Sequence, residues 1–307
     1  MSKIKAIVHG LGNIGRGVIE ALECAPDMEC LGVVRTPSSV GTKAQDLRGR
    51  PDFPSLDDLI KAQGQPQVAI LCGPSRLVPE DAARYLAAGL NVVDSFDIHS
   101  EILPLVKRLE GEASKAGRAA VVGAGWDPGS DSALRAIFEA MVPSGTTFTN
   151  FGRGLSMGHS VAARAIKGVA DALSLTIPAG GGRHMRLVYV VPEAGFAQDS
   201  IQAALAADSY FSHDPLEVRF VETKEELKTV ADQSHGVLLE RTGASGLTSN
   251  QRLSFDMRID NPALTSQVMV SAARATTRLA PGAYTLIDIP PVALLPGERE
   301  THIRRLV

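Results

Sequence analysis

Ala6-Ile7-Val8-His9-Gly10-Leu11-Gly12-Asn13-Ile14-Gly15 decides the fold. A β-branched run reads as a strand, glycines follow, and a helical pattern continues from about Ile14 to Cys24. A G-x-G-x-x-G placed directly after a strand and opening a helix is a dinucleotide fingerprint. Its glycines permit a tight turn, close backbone approach to a pyrophosphate, and helix–strand packing. The helix N-terminus adds unpaired N–H groups and the positive end of a dipole. Gly10, Gly12, Asn13, Ile14 and Gly15 are therefore expected at the cofactor.

Further strands read at residues 31–34, 68–71, 91–94 and 119–123, with helices around 79–88 and 100–116. Strands alternating with helices predict an α/β chain, a Rossmann-type doubly wound parallel sheet. After Gly125 the apolar runs at 186–191, 237–240 and 253–259 are longer and more alternating, which predicts a second, α+β domain with a mainly antiparallel sheet. A helix is expected from Asn261 or Pro262 to about Leu279, since proline suits a first helical turn. The expected division is a nucleotide-binding domain over 1–125 with a C-terminal return at 280–307, and a substrate-binding and dimerisation domain over 126–279.

The second strand ends in Val33-Val34-Arg35-Thr36-Pro37-Ser38-Ser39. NAD enzymes usually place an acid there for the ribose 2′-hydroxyl, whereas an arginine fork suits a 2′-phosphate. Arg35 and Thr36 thus predict NADP. Asp27 comes too early and reads as a surface residue. Cys72, Gly73, Pro74 and Ser75 follow another strand at the sheet edge where such folds bind ligands; they are expected near the pyrophosphate or nicotinamide, a plain loop being the alternative.

With 307 residues, 44% of them hydrophobic, there is room for two domains. A net charge of −3 lacks the basic excess of a nucleic-acid binder. No apolar run is long enough to span a bilayer, and the N-terminus lacks a signal-peptide pattern. Cys24, Cys30 and Cys72 fit neither a disulfide framework nor a zinc knuckle and read as reduced packing residues, so a cytoplasmic protein is expected. The histidines are not spaced as a metal set, hydride transfer needs no metal, and none is expected.

Several blocks together resemble the meso-diaminopimelate dehydrogenase family. They are the opening Val8–Gly17 segment, Val93-Asp94-Ser95-Phe96-Asp97-Ile98-His99, Ala124-Gly125-Trp126-Asp127-Pro128-Gly129, Gly154-Leu155-Ser156-Met157-Gly158-His159-Ser160 and Asp260-Asn261-Pro262-Ala263-Leu264-Thr265. They appear in the family's order and spacing from the first residues towards the C-terminus, so the likeness covers nearly the whole chain. The resemblance implies NADP-dependent oxidative deamination of the D-centre of meso-diaminopimelate to L-2-amino-6-oxopimelate and ammonia, reversibly, by a homodimer. It places Asp97 and Asp127 against the D-centre amine, one of them as base, with Trp126 and Phe151 lining the reacting centre. It places Thr176, Arg186 and His235 at the distal carboxylate and Asn261 at the L-centre, with the backbone N–H groups of Met157 and Gly158 as further donors. On residues alone, Arg186 would read as a surface strand residue and His235 as a loop histidine.

Two departures stand out. The family's Gly-Pro-Gly is Gly152-Arg153-Gly154 here, which relaxes φ and adds a charge. The segment Gly180-Gly181-Gly182-Arg183-His184 is short and glycine-rich, consistent with a pliable lid and with reductive amination of other 2-oxo acids to D-amino acids. Competing readings are another NADP-dependent dehydrogenase or reductase on the same scaffold, such as a dihydrodipicolinate-type reductase, and a non-catalytic NADP-binding protein. Gly154-Leu155-Ser156-Met157-Gly158 formally matches a nucleophile elbow, but no acid–base partner is evident for a serine hydrolase.

Overall fold

The structure is a computed structural model that describes residues 3–151, 154–180, 183–231 and 235–307. Arg153, Gly152, Gly181 and Gly182 lie outside the described residues. In chain order the elements are β1 (Ile4–His9), α1 (Asn13–Cys24), β2 (Met28–Val34), β3 (Asp52–Phe53), α2 (Leu56–Gln63), β4 (Val68–Leu71), α3 (Val78–Ala87), β5 (Asn91–Asp94), α4 (Ile102–Ala116), β6 (Ala119–Val121) and α5 (Ser130–Met141). Then follow β7 (Ser144–Phe151), β8 (Gly154–Ser156), α6 (Met157–Arg164), β9 (Val169–Gly180), β10 (Arg183–Pro192), α7 (Gln198–Ala207), β11 (Leu216–Phe220), α8 (Lys224–Ala231), β12 (His235–Ser245) and β13 (Thr248–Ile259). The chain closes with α9 (Asn261–Thr276), β14 (Gly282–Tyr284) and α10 (Arg299–Leu306).

Two compact units result, residues 1–133 with 262–307, and residues 134–261. The first holds a seven-stranded parallel sheet in the order β14-β6-β5-β4-β1-β2-β3. Order reverses at β1 and β4, the switch point where such sheets bind ligands beyond their carboxyl ends. Successive strand residues feed opposite cores, so both faces are covered: Ala6, Val8, Ile70, Val93 and Val121 on one side, Ile7, Ala69, Leu71, Val92 and Ala120 on the other.

The return to this unit starts at Pro262, earlier than the expected 280. Helix α9 carries small and apolar residues, Met269, Val270, Ala272 and Ala273, that bury against the sheet. A Cβ at Gly17 would lie 2.5 Å from Ser266 Oγ, and that hydroxyl donates to Ile14 O at 3.0 Å, so α9 packs tightly on α1. Asp27, expected at the surface, instead accepts both Nε and Nη2 of the buried Arg274, at 2.6 and 2.9 Å. This anchors α9 to the turn before β2.

The second unit holds two sheets rather than one. Strands β11-β10-β9-β8 form the first, in which β10 and β11 run parallel and the other pairs antiparallel. Strands β13-β12-β7 form an antiparallel second. Among the described residues, no helix is long and apolar enough to cross a membrane.

Candidate active site

The glycine loop closes β1 onto α1. Gly10 sits at φ +93, a conformation L side chains rarely adopt, and its N–H bonds Val34 O at 2.9 Å. A Cβ on Gly15 would lie 2.2 Å from Gly10 O, while a Cβ on Gly12 would meet nothing within 4 Å. One glycine is needed for packing, and the other leaves an open face. No side chain caps α1, and its first turn has no acid. Asn13 and Ile14 therefore offer backbone donors to an anion. The residues present fit a dinucleotide. Cys72, in the adjacent loop, donates its N–H to His9 O at 2.8 Å; burial pushes its thiol well above the usual range, so it is a packing group and not a nucleophile. Gly73 lies beside His9, where a Cβ would be 3.8 Å from the ring, and Pro74 opens the short turn 75–77.

Arg35 is placed at the end of β2 as expected, but its guanidinium is engaged. Nη1 donates to Asp52 Oδ2 and to Thr42 O, both at 2.8 Å, and Nη2 to Thr42 Oγ1 at 3.0 Å. Asp52 lies 17 residues away in sequence, so nothing local signalled this pair. Thr36 is exposed, with its hydroxyl 2.7 Å from Ser39 Oγ. Arg35 thus shapes a hydroxyl-rich turn as well as bringing a charge to it.

Asp97 and the Trp126–Asp127 pair lie on the loops after β5 and β6, at the carboxyl edge of the sheet. Both acids are half-buried and Trp126 is buried. Ser75, expected at the cofactor, donates its hydroxyl to Asp97 Oδ1 at 2.7 Å. The structure also reveals Asp94, which the sequence reading passed over as the last residue of a strand. It is fully buried, and its Oδ1 accepts the N–H groups of Phe96 and Gly123, each at 2.9 Å. Burial pushes its carboxyl up to about 6, although the Gly123 and Phe96 amides pull the other way. A raised carboxyl binds its proton more tightly folded than unfolded, so its contribution to stability is full below the ordinary carboxylate range and is lost as pH rises through about 6. Asp94→Asn removes that dependence. From about pH 4 to about pH 7 its melting temperature should rise relative to the parent's, and parallel curves would refute the assignment.

The second unit gathers another set. Arg186 on β10 faces Thr176 on β9 across the ladder and donates Nη1 to Thr176 Oγ1 at 2.6 Å. Its Nε donates to Asp214 Oδ2 at 2.8 Å, and Nη2 lies 3.0 Å from His184 Nε2. Asp214 takes the Nε N–H and Thr176 one Nη1 N–H, so at least one N–H on each terminal nitrogen is left for a carboxylate. The Phe151 ring stands edge-on to His184 at 5.1 Å and 6.2 Å from the ring of His235, a buried residue at the start of β12. Thr176, Arg186, Phe151 and His235 therefore lie in one neighbourhood, although Phe151 was expected with Trp126 at the reacting centre. Asp214 and His184 are the members the sequence reading missed. Burial alone would raise the Asp214 carboxyl, but hydrogen bonds from His184 and Arg186, with their charge, hold it well below the usual range.

Met157 and Gly158 form the first turn of α6, whose N-cap Ser156 makes no capping bond. Its hydroxyl lies 2.9 Å from His159 Nδ1 instead. His159 stacks edge-on against Tyr210 and Phe211, a packing role. Asn261, half-buried, opens α9.

A doubly wound parallel sheet with an open glycine loop at its switch point, and two acids beside it, defines a nucleotide-dependent dehydrogenase. Comparison with known proteins narrows this to an amino-acid dehydrogenase. Residues 125–182 match the diaminopimelic acid dehydrogenase C-terminal domain. The chain is 47% identical over 307 residues to the meso-diaminopimelate D-dehydrogenase of Bacteroides fragilis, covering 100% of both chains. Its fold superposes with a TM-score of 0.87 on C. glutamicum diaminopimelate dehydrogenase in complex with diaminopimelate, at 28% identity and 100% coverage of both. An engineered D-amino acid dehydrogenase bound to NADP+ gives a TM-score of 0.88 at 27% identity, again with 100% coverage of both. This chain belongs to the meso-diaminopimelate D-dehydrogenase family.

Proposed function

We propose that the chain oxidises the D-configured centre of meso-2,6-diaminopimelate with NADP and water, giving L-2-amino-6-oxopimelate, ammonium, NADPH and one proton, reversibly. The observation that carries this is the pair Asp97 and Asp127 on adjacent loops at the carboxyl edge of a nucleotide-binding sheet, in a chain of this family. Bound NADP supplies the nicotinamide ring that takes the hydride. The two carboxylates hold the ammonium, and one of them accepts its proton as the α-carbon becomes an imine. Once that proton has passed to solvent, the same acid takes a proton from the water that attacks the iminium carbon and returns it to the departing nitrogen. In this reading buried Trp126 is an apolar wall for that carbon, and half-buried Phe151 is a further lining residue.

The other end of the substrate carries a second carboxylate and ammonium, whose charges need partners once desolvated. The two remaining N–H groups of Arg186 suit the carboxylate as a bidentate pair, with Thr176, His235 and the Met157 and Gly158 amides completing its shell and Asn261 at the L-centre. The same groups serve the reverse reductive amination of 2-oxo acids to D-amino acids. A homodimer in the cytoplasm completes the reading. Ammonia and NADPH should appear in a one-to-one ratio when meso-diaminopimelate is supplied; NADPH without ammonia would point to a different oxidation.

For the cofactor, Arg35 and the hydroxyls of the 36–39 turn are read as the 2′-phosphate site. Arg35→Ala should raise KM for NADP about tenfold or more and leave KM for NAD within about twofold, in line with loss of one charged hydrogen-bonding partner. An unchanged NADP-to-NAD ratio would remove Arg35 from cofactor selection.

A further inference from the structure

Strands β5 and β6 pair only as far as Val93 and Val121, so the ladder does not set the spacing of the loops beyond. Those loops carry Asp97 and Asp127. Asp94 spans them. Its Oδ1 accepts Phe96 N–H, one residue before Asp97, and Gly123 N–H, at the root of the Trp126–Asp127 loop. Its own carbonyl accepts Ala124 N–H at 2.7 Å. The loops touch without slack: a Cβ at Gly123 would lie 3.3 Å from Phe96 O and 3.4 Å from Pro128 Cγ, and one at Gly125 3.8 Å from Ser95 Cβ. A buried carboxylate is a costly acceptor for two amides, which a neutral carbonyl would satisfy with less desolvation.

We propose that Asp94 is a positioning residue for the reaction: by holding the Phe96 and Gly123 amides on one oxygen, it sets the separation of Asp97 and Asp127 and so the geometry in which they grip the amine. This rests on the assignment of those two acids to the amine. Displacing reacting groups by about 1 Å costs on the order of a hundredfold in rate, which sets the scale of the effect.

The test compares Asp94→Ala and Asp94→Asn with the parent enzyme, using kcat for meso-diaminopimelate expressed per NADPH-binding site from fluorescence titration. Asp94→Ala should lose about thirtyfold or more in kcat with NADPH Kd within about threefold, and Asp94→Asn, whose Oδ1 still accepts both amides, should recover to within about fivefold of the parent. Three results would overturn the proposal: kcat per site little changed in Asp94→Ala, Asp94→Asn as impaired as Asp94→Ala, or NADPH affinity lost in step with kcat. Should Asp94→Ala not accumulate as folded protein, Asp94→Thr, whose hydroxyl is one bond short of both amides, is judged by the same limits. Asp97→Asn and Asp127→Asn are assayed in parallel. Full activity in those removes the amine assignment itself; their inactivity beside a normal Asp94→Ala removes only the brace.

Discussion

Asn in place of Asp97 or of Asp127 should lower kcat/KM for meso-diaminopimelate by about two to four orders of magnitude, the range expected when a positioned acid–base group is lost. The substrate amine arrives as ammonium, and hydride cannot leave its carbon until a proton has gone. A carboxamide neither neutralises that charge nor accepts the proton. The acid acting as base should lose mainly kcat, whereas the one that only holds the ammonium should lose KM as well, so the pair of variants assigns the roles. NADPH binding should be untouched in both, because on this proposal the glycine loop and α1 are what carry the dinucleotide. Variants of both acids that keep turnover within a fewfold would end this account of the chemistry.

The second large effect concerns substrate length. Arg186→Met should cost about 3 kcal/mol or more in transition-state binding of meso-diaminopimelate, roughly a hundredfold in kcat/KM, as when one partner of a desolvated charge pair is removed. D-Alanine has no distal carboxylate, and its kcat/KM should change by less than about threefold, since no uniform binding to that group is lost. Arg186 also holds Asp214, which His184 approaches at 3.2 Å, so melting curves should accompany the kinetics. Equal losses for long and short substrates would mean that Arg186 serves the fold of β10 rather than the ligand.

How much of this could be read from residues follows the range of each interaction. The parallel sheet was legible because strand and helix periods are local. The glycine loop was legible for the same reason. Less visible were the groups whose partners lie far along the chain. Arg35 meets Asp52, Arg186 meets Asp214 across 28 residues, and Asp94 meets Gly123 across 29. No periodicity distinguishes such a carboxylate from a solvated one. Helix α9 read correctly as a helix, yet its small residues gave no hint that it buries against the first sheet. Nor could alternation alone show that the later strands divide into two sheets, because each strand alternates alike in either arrangement.

The most direct test is the initial rate of NADPH formation with meso-, L,L- and D,D-diaminopimelate at matched concentration. An enzyme that grips a D-centre amine at one end and an L-configured end at the other should oxidise the meso isomer at least about a hundred times faster than L,L, which offers no D-centre, with D,D well below meso. Comparable rates on meso and L,L, or no NADPH from the meso isomer, would contradict it.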